Sequence, residues 1–155
     1  MTTTAQTDRL VAQITQRMLD WKKAFEAKDV DAVMSFYADG NAFSAFDLMP
    51  PIEFRGGDMW RENWVSFFDA WQGDTLPLEF SGLEVHASHD LAIARALVRM
   101  VGTMNDQESD LWTRTTNCFR LIDGEWLMIH DHVSVPIDFA TGQAFMNLSP
   151  TKPLG

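Results

Sequence analysis

Near the start of the chain, apolar residues recur at helical spacing. Val11, Ile14, Met18, Trp21 and Phe25 form one stripe, which predicts an amphipathic helix with Asp8 placed to cap it. Asp29 restarts a shorter helix carrying Val30, Val33, Met34 and Tyr37, stopped by Gly40. Asn41 to Met49 reads as a strand with Phe43 and Phe46. It ends at Pro50-Pro51, which cannot donate to a ladder. Gly56-Gly57-Asp58 turns the chain into a third helix, where Trp60, Trp64, Phe67, Phe68 and Trp71 share a face before Gly73. That stripe reads first as core, with part of it walling a cavity.

From Leu76 the period changes to two. Leu78 and Phe80 alternate, Ser81-Gly82 interrupts them as a bulge would, and Leu83, Val85 and Ala87 resume. Turns at Ser88-His89-Asp90, Asn105-Asp106 and Asp123-Gly124 separate strands over Leu91–Met104, Asp110–Leu121 and Glu125–Val135. The last of these turns is a type I′ hairpin signal. The polar residues Met1–Thr7 read as a flexible N-terminus. The tail from 137 to 155 (with Gly142, Pro150, Pro153 and Gly155) reads as irregular but apolar enough to pack on the body. Helices followed by long antiparallel strands give an α+β class: a curved antiparallel sheet packed against three N-terminal helices as a cone with a pocket. The 155 residues suit a single domain.

Composition sharpens this picture. Eleven Phe and six Trp exceed what one modest core needs, and surplus aromatics line pockets or subunit contacts. With 22 Asp and Glu against 12 Lys and Arg, the net charge of −10 repels phosphate backbones and anionic membranes. Neither nucleic acid nor a membrane is expected as a partner. No secretory signal or membrane span is visible, so a soluble cytoplasmic protein is expected. The one cysteine, Cys118, falls in a strand and reads as a small buried hydrophobe.

The order of elements from Asp8 to Pro136 is similar to the nuclear-transport-factor-like superfamily, which includes ketosteroid isomerases. Three local runs are more specific: Arg114-Thr115-Thr116, Asp123-Gly124-Glu125-Trp126, and His130-Asp131-His132-Val133-Ser134-Val135-Pro136. Together they resemble the ending of a polyketide-cyclase-like (SnoaL-like) branch. More weakly they resemble the association domain of calcium/calmodulin-dependent protein kinase, whose arginine on the preceding strand is replaced by Asn117. The resemblance implies a cone with an internal pocket. The fold hosts isomerases, dehydratases and cargo binders alike, so the site must decide the function.

Strict alternation from Trp126 puts Met128, His130, His132 and Ser134 on one face of the last strand, and Leu127, Ile129, Asp131 and Val133 on the other. Both faces carry apolar residues. The helices can cover only one of them, so a homodimer through the sheet face is expected. His130, His132 and Ser134 are then pocket candidates, or else histidines satisfied by hydrogen bonds at a sheet edge. By resemblance to the ketosteroid isomerases, Asp47 stands where a proton-shuttling carboxylate ends the first strand; its other reading is a solvated turn residue. The inward set on the preceding strand is taken as Trp112, Arg114, Thr116 and Cys118. Within it, Arg114 would pair with a carboxylate, either a ligand's or a neighbouring acid.

These readings make a cofactor-independent isomerase, cyclase or dehydratase the leading expectation, acting by acid–base chemistry on a small carbonyl or carboxylate compound. Asp47 or His132 would move the proton, and Arg114 and His130 would stabilise negative charge. Tyr37, Trp60, Trp64, Phe68, Trp112, Thr116 and Ser134 would line the pocket. If Asp47, Arg114 and His132 do not converge on one cavity, this enzymatic reading fails. The rival is a non-catalytic ligand-binding or assembly domain of the same fold. His-x-His with a carboxylate is a workable zinc or iron set, but the resembled branch is not generally metal-dependent, and no metal is expected.

Overall fold

Thr3, rather than Asp8, caps the first helix. In the computed structural model, which describes residues 3–150, its hydroxyl accepts from Gln6 N at 3.3 Å, and α1 runs Thr4–Glu26. Met1, Thr2, Pro153 and Gly155 lie outside the described residues. Asp29 caps α2 (Val30–Met34) as its position suggests, its carboxylate accepting from Ala32 N at 2.9 Å. A 3₁₀ turn at Gly40–Ala42 then shortens the expected strand to β1 (Ser44–Phe46). After β2 (Phe54–Arg55), Gly56 takes φ 86°, a left-handed angle a side chain would resist, and starts α3 (Gly57–Ala70).

Four long strands follow: β3 (Leu78–Ser88), β4 (Leu91–Met104), β5 (Gln107–Ile122) and β6 (Glu125–Ser134). β5 starts earlier than its composition suggests because Asn105 and Asp106 both take positive φ. They close a two-residue turn that pairs Met104 with Gln107. Asp123 and Gly124 do the same between β5 and β6. Ser81 to Glu84 carries a register shift where Gly82 breaks the pattern.

The sheet order is β2-β1-β6-β5-β4-β3. β1 runs parallel to β6 and every other neighbour is antiparallel, so the sheet is mixed. The inner face packs against the apolar stripes of α1 and α3. Ile14, Met18, Trp21 and Phe25 from α1 and Trp60, Trp64 and Phe68 from α3 are all buried there. Their rings interlock edge-on, as with Phe25 and Trp64, whose centroids are 5.7 Å apart at 85°. Trp71 closes the far end by lying on the backbone of β4. A Cβ added at Gly102 would stand 3.2 Å from its ring.

One irregularity decides which side chains face inward. Phe119 pairs with Met128, but Cys118 pairs with His130, leaving Ile129 as an extra residue on β6. Trp126 and Met128 point into the core before this bulge, and Asp131 and Val133 point inward after it. His130, His132 and Ser134 therefore move to the outer face. This reverses the face expected from unbroken alternation.

Candidate functional site

The inner face of the sheet and the helices enclose a cavity of about 80 Å³. One wall is aromatic: Trp21 and Phe25 from α1, with Trp60, Trp64 and Phe67 from α3. The opposite wall is the sheet, where Thr113, Thr115 and Asn117 of β5 stand beside Asp131 and Val133 of β6. Asp47 and Leu48 enter from the end of β1. The register explains this set. Ala45, fully buried, pairs with Asp131, so Asp47, two residues on, shares the inner face.

Asp131 is 3% exposed, and both of its oxygens are engaged. Tyr37 donates its hydroxyl to Oδ2 at 3.1 Å, and Asn117 Nδ2 donates to Oδ1 at 2.9 Å. Trp21 Nε1 donates to the Tyr37 oxygen at 3.1 Å, extending the chain of donors back to α1. Burial pushes the Asp131 carboxyl up to about 7; the Asp47 charge adds to the rise, while the hydrogen bonds from Tyr37 and Asn117 oppose it. Burial likewise holds the Tyr37 hydroxyl well above its usual range, so it stays protonated as a donor. Asp47 is tethered differently: Oδ1 accepts from Leu48 N at 2.7 Å and Oδ2 from Asn63 Nδ2 at 2.8 Å.

Of the residues singled out in the sequence, Asp47, Trp60 and Trp64 line this cavity. Phe68 is core beneath it, and Tyr37 stands behind Asp131 rather than on the wall. Trp112, Arg114 and Thr116 face outward, because the inward set on β5 is Leu111, Thr113, Thr115, Asn117 and Phe119. Asp47, Arg114 and His132 do not converge, so that trio is lost as a catalytic set. Arg114 Nε instead donates to Ser134 Oγ at 3.1 Å on the outer face. Asp131, the residue the alternation placed outside, is the one the bulge brings in. Its only local signal is a carboxylate flanked by apolar residues two positions away on either side.

On the outer face, Ser44 Oγ lies 2.9 Å from His130 Nδ1, and the Phe46 ring meets His130 and His132 edge-on, with centroids at 4.8 and 5.5 Å. Cys118 sits in the same row, half-buried, its thiol pushed up by burial. Among the described residues no group of three or more His, Cys, Asp or Glu side chains is arranged to hold a metal ion. Among them, too, no helix is long and apolar enough to cross a membrane.

A family model described as a SnoaL-like domain matches residues 14–138. The chain belongs to the SnoaL-like family. Its fold matches an NTF2-like protein of unknown function from Pseudomonas putida KT2440, with TM-score 0.83 and 29% identity over 93% of this chain and 99% of that one. It also matches a nuclear transport factor 2 (NTF2-like) superfamily protein from Salmonella enterica, at TM-score 0.75 and 16% identity, over 89% and 99% of the two chains. A ketosteroid isomerase-like protein from Erwinia carotovora aligns at TM-score 0.68 and 20% identity, over 80% and 94%. The curated proteins contain no match. At these identities the last two likenesses concern the SnoaL-like fold alone.

Proposed function

We propose that this SnoaL-like domain is a cofactor-independent enzyme that isomerises, cyclises or dehydrates a small uncharged carbonyl compound by acid–base chemistry in the aromatic cavity. The observation that carries the reading is Asp131, a fully buried carboxyl at about 7 facing a cavity that Asp47 also lines. Near neutral pH such a group exists in both forms, which is what a proton donor and acceptor needs. In its ionised form the side chain accepts from Tyr37 and Asn117. In its protonated form a ligand oxygen in the cavity would offer its proton an acceptor. Asp131 would protonate or hydrogen-bond the carbonyl oxygen while Asp47 takes a proton from carbon.

Charge sets the substrate class. None of the cavity's lining residues is Lys, Arg or His, and two are carboxylates. A carboxylate ligand would meet only repulsion in a low-dielectric space, so the uncharged half of the expected substrate range is favoured. The volume favours a compact molecule, since ligand pockets more often span roughly 300–1,000 Å³. The outer face, with Phe46, Leu91 and Ile93 all more than 40% exposed, is assigned to a second copy of the chain in a homodimer.

The test is deuterium exchange at the carbon next to the carbonyl of a panel of small ketones and hydroxyketones in D₂O, followed by NMR. The wild type should accelerate exchange of at least one member roughly 10²-fold or more over Asp131→Asn and Asp47→Asn, with binding of that member retained. A panel that binds but exchanges at the same rate in all three proteins leaves a ligand-binding domain and refutes the enzymatic reading.

A further inference from the structure

Within the runs that mark the family in the sequence, Thr115, Asp131 and Val133 line the cavity, and the residues that alternate with them do not. Arg114, Thr116, His130, His132 and Ser134 stand side by side on the outer sheet face, with Arg114 opposite Ser134 and Thr116 opposite His132. That face differs electrically from the rest of the chain. Its strands carry five arginines (Arg55, Arg95, Arg99, Arg114, Arg120) and, by the same pairings, five outward carboxylates. Several are already matched there, such as Arg99 with Asp110 at 2.8 Å and Arg95 with Glu84. The net −10 therefore resides elsewhere on the molecule. A second copy would therefore meet nearly balanced charges of both signs here, Glu53 included, around exposed Ile93, Leu91 and Phe46, without the repulsion that the net charge of the whole chain would bring.

His130 and His132 sit within this face with ring centroids 6.4 Å apart. We propose that these two imidazoles make the pairing of two copies across the outer face pH-dependent: neutral rings permit it and acidification breaks it. The proposal rests on assigning that face to a second copy. Bringing a second sheet against it removes water from both rings and from their counterparts, so four protonations at close range must be resisted.

The groups facing the pair offer little compensation. Ser44 and Phe46 from β1 are uncharged, as is Thr116 of β5, and the Cys118 thiol beside His130 is held protonated by burial. Arg114, the next residue along β5, adds positive charge. Glu53 is the acid that acts on His130, and Arg55 engages it at 2.9 Å. Asp131 projects to the other face. Within one chain, burial and the neighbouring His132 already hold the His130 pKa below the ordinary 6.5. A ring held in its neutral form favours the packed state above 6.5, and that advantage is lost as the pH falls below it.

Sedimentation velocity on the full chain between about pH 8 and about pH 5 reads the effect. The wild type should be dimeric at the upper pH, and its dimer dissociation constant should rise by roughly tenfold for each imidazole that must shed a proton to pair. His130→Gln/His132→Gln should remain dimeric at both. His132→Gln alone changes an exposed side chain, so its fold is expected to persist even if the double variant's does not, and it should flatten the pH dependence. A wild type equally dimeric at both pH values overturns the pH device and leaves the interface standing. A wild type monomeric at both overturns the interface and the device together, and neither result bears on the cavity chemistry.

Discussion

Replacing Asp131 with Asn should stabilise the protein at alkaline pH and do nothing for it under mildly acidic conditions. The folded state holds this carboxyl at about 7, well above its ordinary 3.8. A group whose folded pKa is raised keeps its proton more tightly when folded, so stability falls as the pH climbs from 3.8 through 7. At about 1.4 kcal/mol per unit the whole loss is roughly 4 kcal/mol, and more than half of it falls between about pH 5 and pH 8. Against this, Asn cannot accept from both Tyr37 and Asn117, which costs about 1–2 kcal/mol at every pH. The variant should therefore match the wild type near pH 5 and exceed it by about 2–3 kcal/mol near pH 8. Urea unfolding followed by tryptophan fluorescence measures this, with both proteins at one concentration so that self-association does not intrude. Parallel pH–stability curves for the two proteins would refute the reasoning, because the carboxyl would then not be held near 7.

Tyr37→Phe and Asp47→Asn should move the Asp131 midpoint in opposite directions. The first removes a donor that favours the carboxylate, so the midpoint rises, and it strands Trp21 Nε1 at a cost of about 1–3 kcal/mol. The second removes a charge that disfavours the carboxylate, so the midpoint falls; carbon-detected NMR of labelled aspartate reads both, and shifts of the same sign would sink the account. Gly102→Ala should lower stability by about 1–3 kcal/mol in thermal melts, because its methyl meets the Trp71 ring at 3.2 Å. An unchanged melting temperature would show that the indole has room to yield.

The helices and hairpins were legible in the chain because each rests on a local rule. The α1 stripe follows from spacing, and Asp123-Gly124 closes its hairpin with positive φ at both positions. The faces of β5 were also within reach. The Asn105-Asp106 turn sets Arg95 opposite Thr116 and Arg99 opposite Trp112, and two arginines alternating with Ala94, Ala96 and Val98 identify the outer face of β4. Carried across that hairpin, the same logic turns Arg114 outward and Thr113, Thr115 and Asn117 inward. The cap of α1 was read as Asp8, and Thr3 supplies it instead, ahead of a helix that begins at Thr4.

The bulge at Ile129 was not legible in this way, because nothing in the strand's own alternation marks it. β1 joins β6 in parallel, pairing Ala45 with Asp131, and no local pattern in Glu125–Ser134 contains β1. In a run that reads His-Asp-His, one unpaired residue decides which chemistry enters the cavity. Unbroken alternation would bury two imidazoles and expose a carboxylate. The bulged strand buries the carboxylate against Tyr37 and Asn117 and turns the imidazoles toward the face that a second copy would cover. The two sets of titratable groups then answer to different environments. Asp131 is governed by burial in the cavity wall, and His130 and His132 by whatever covers the sheet. A shift in the register of this one strand would exchange those environments, so the bulge, more than any single side chain, is the feature on which both proposed activities depend.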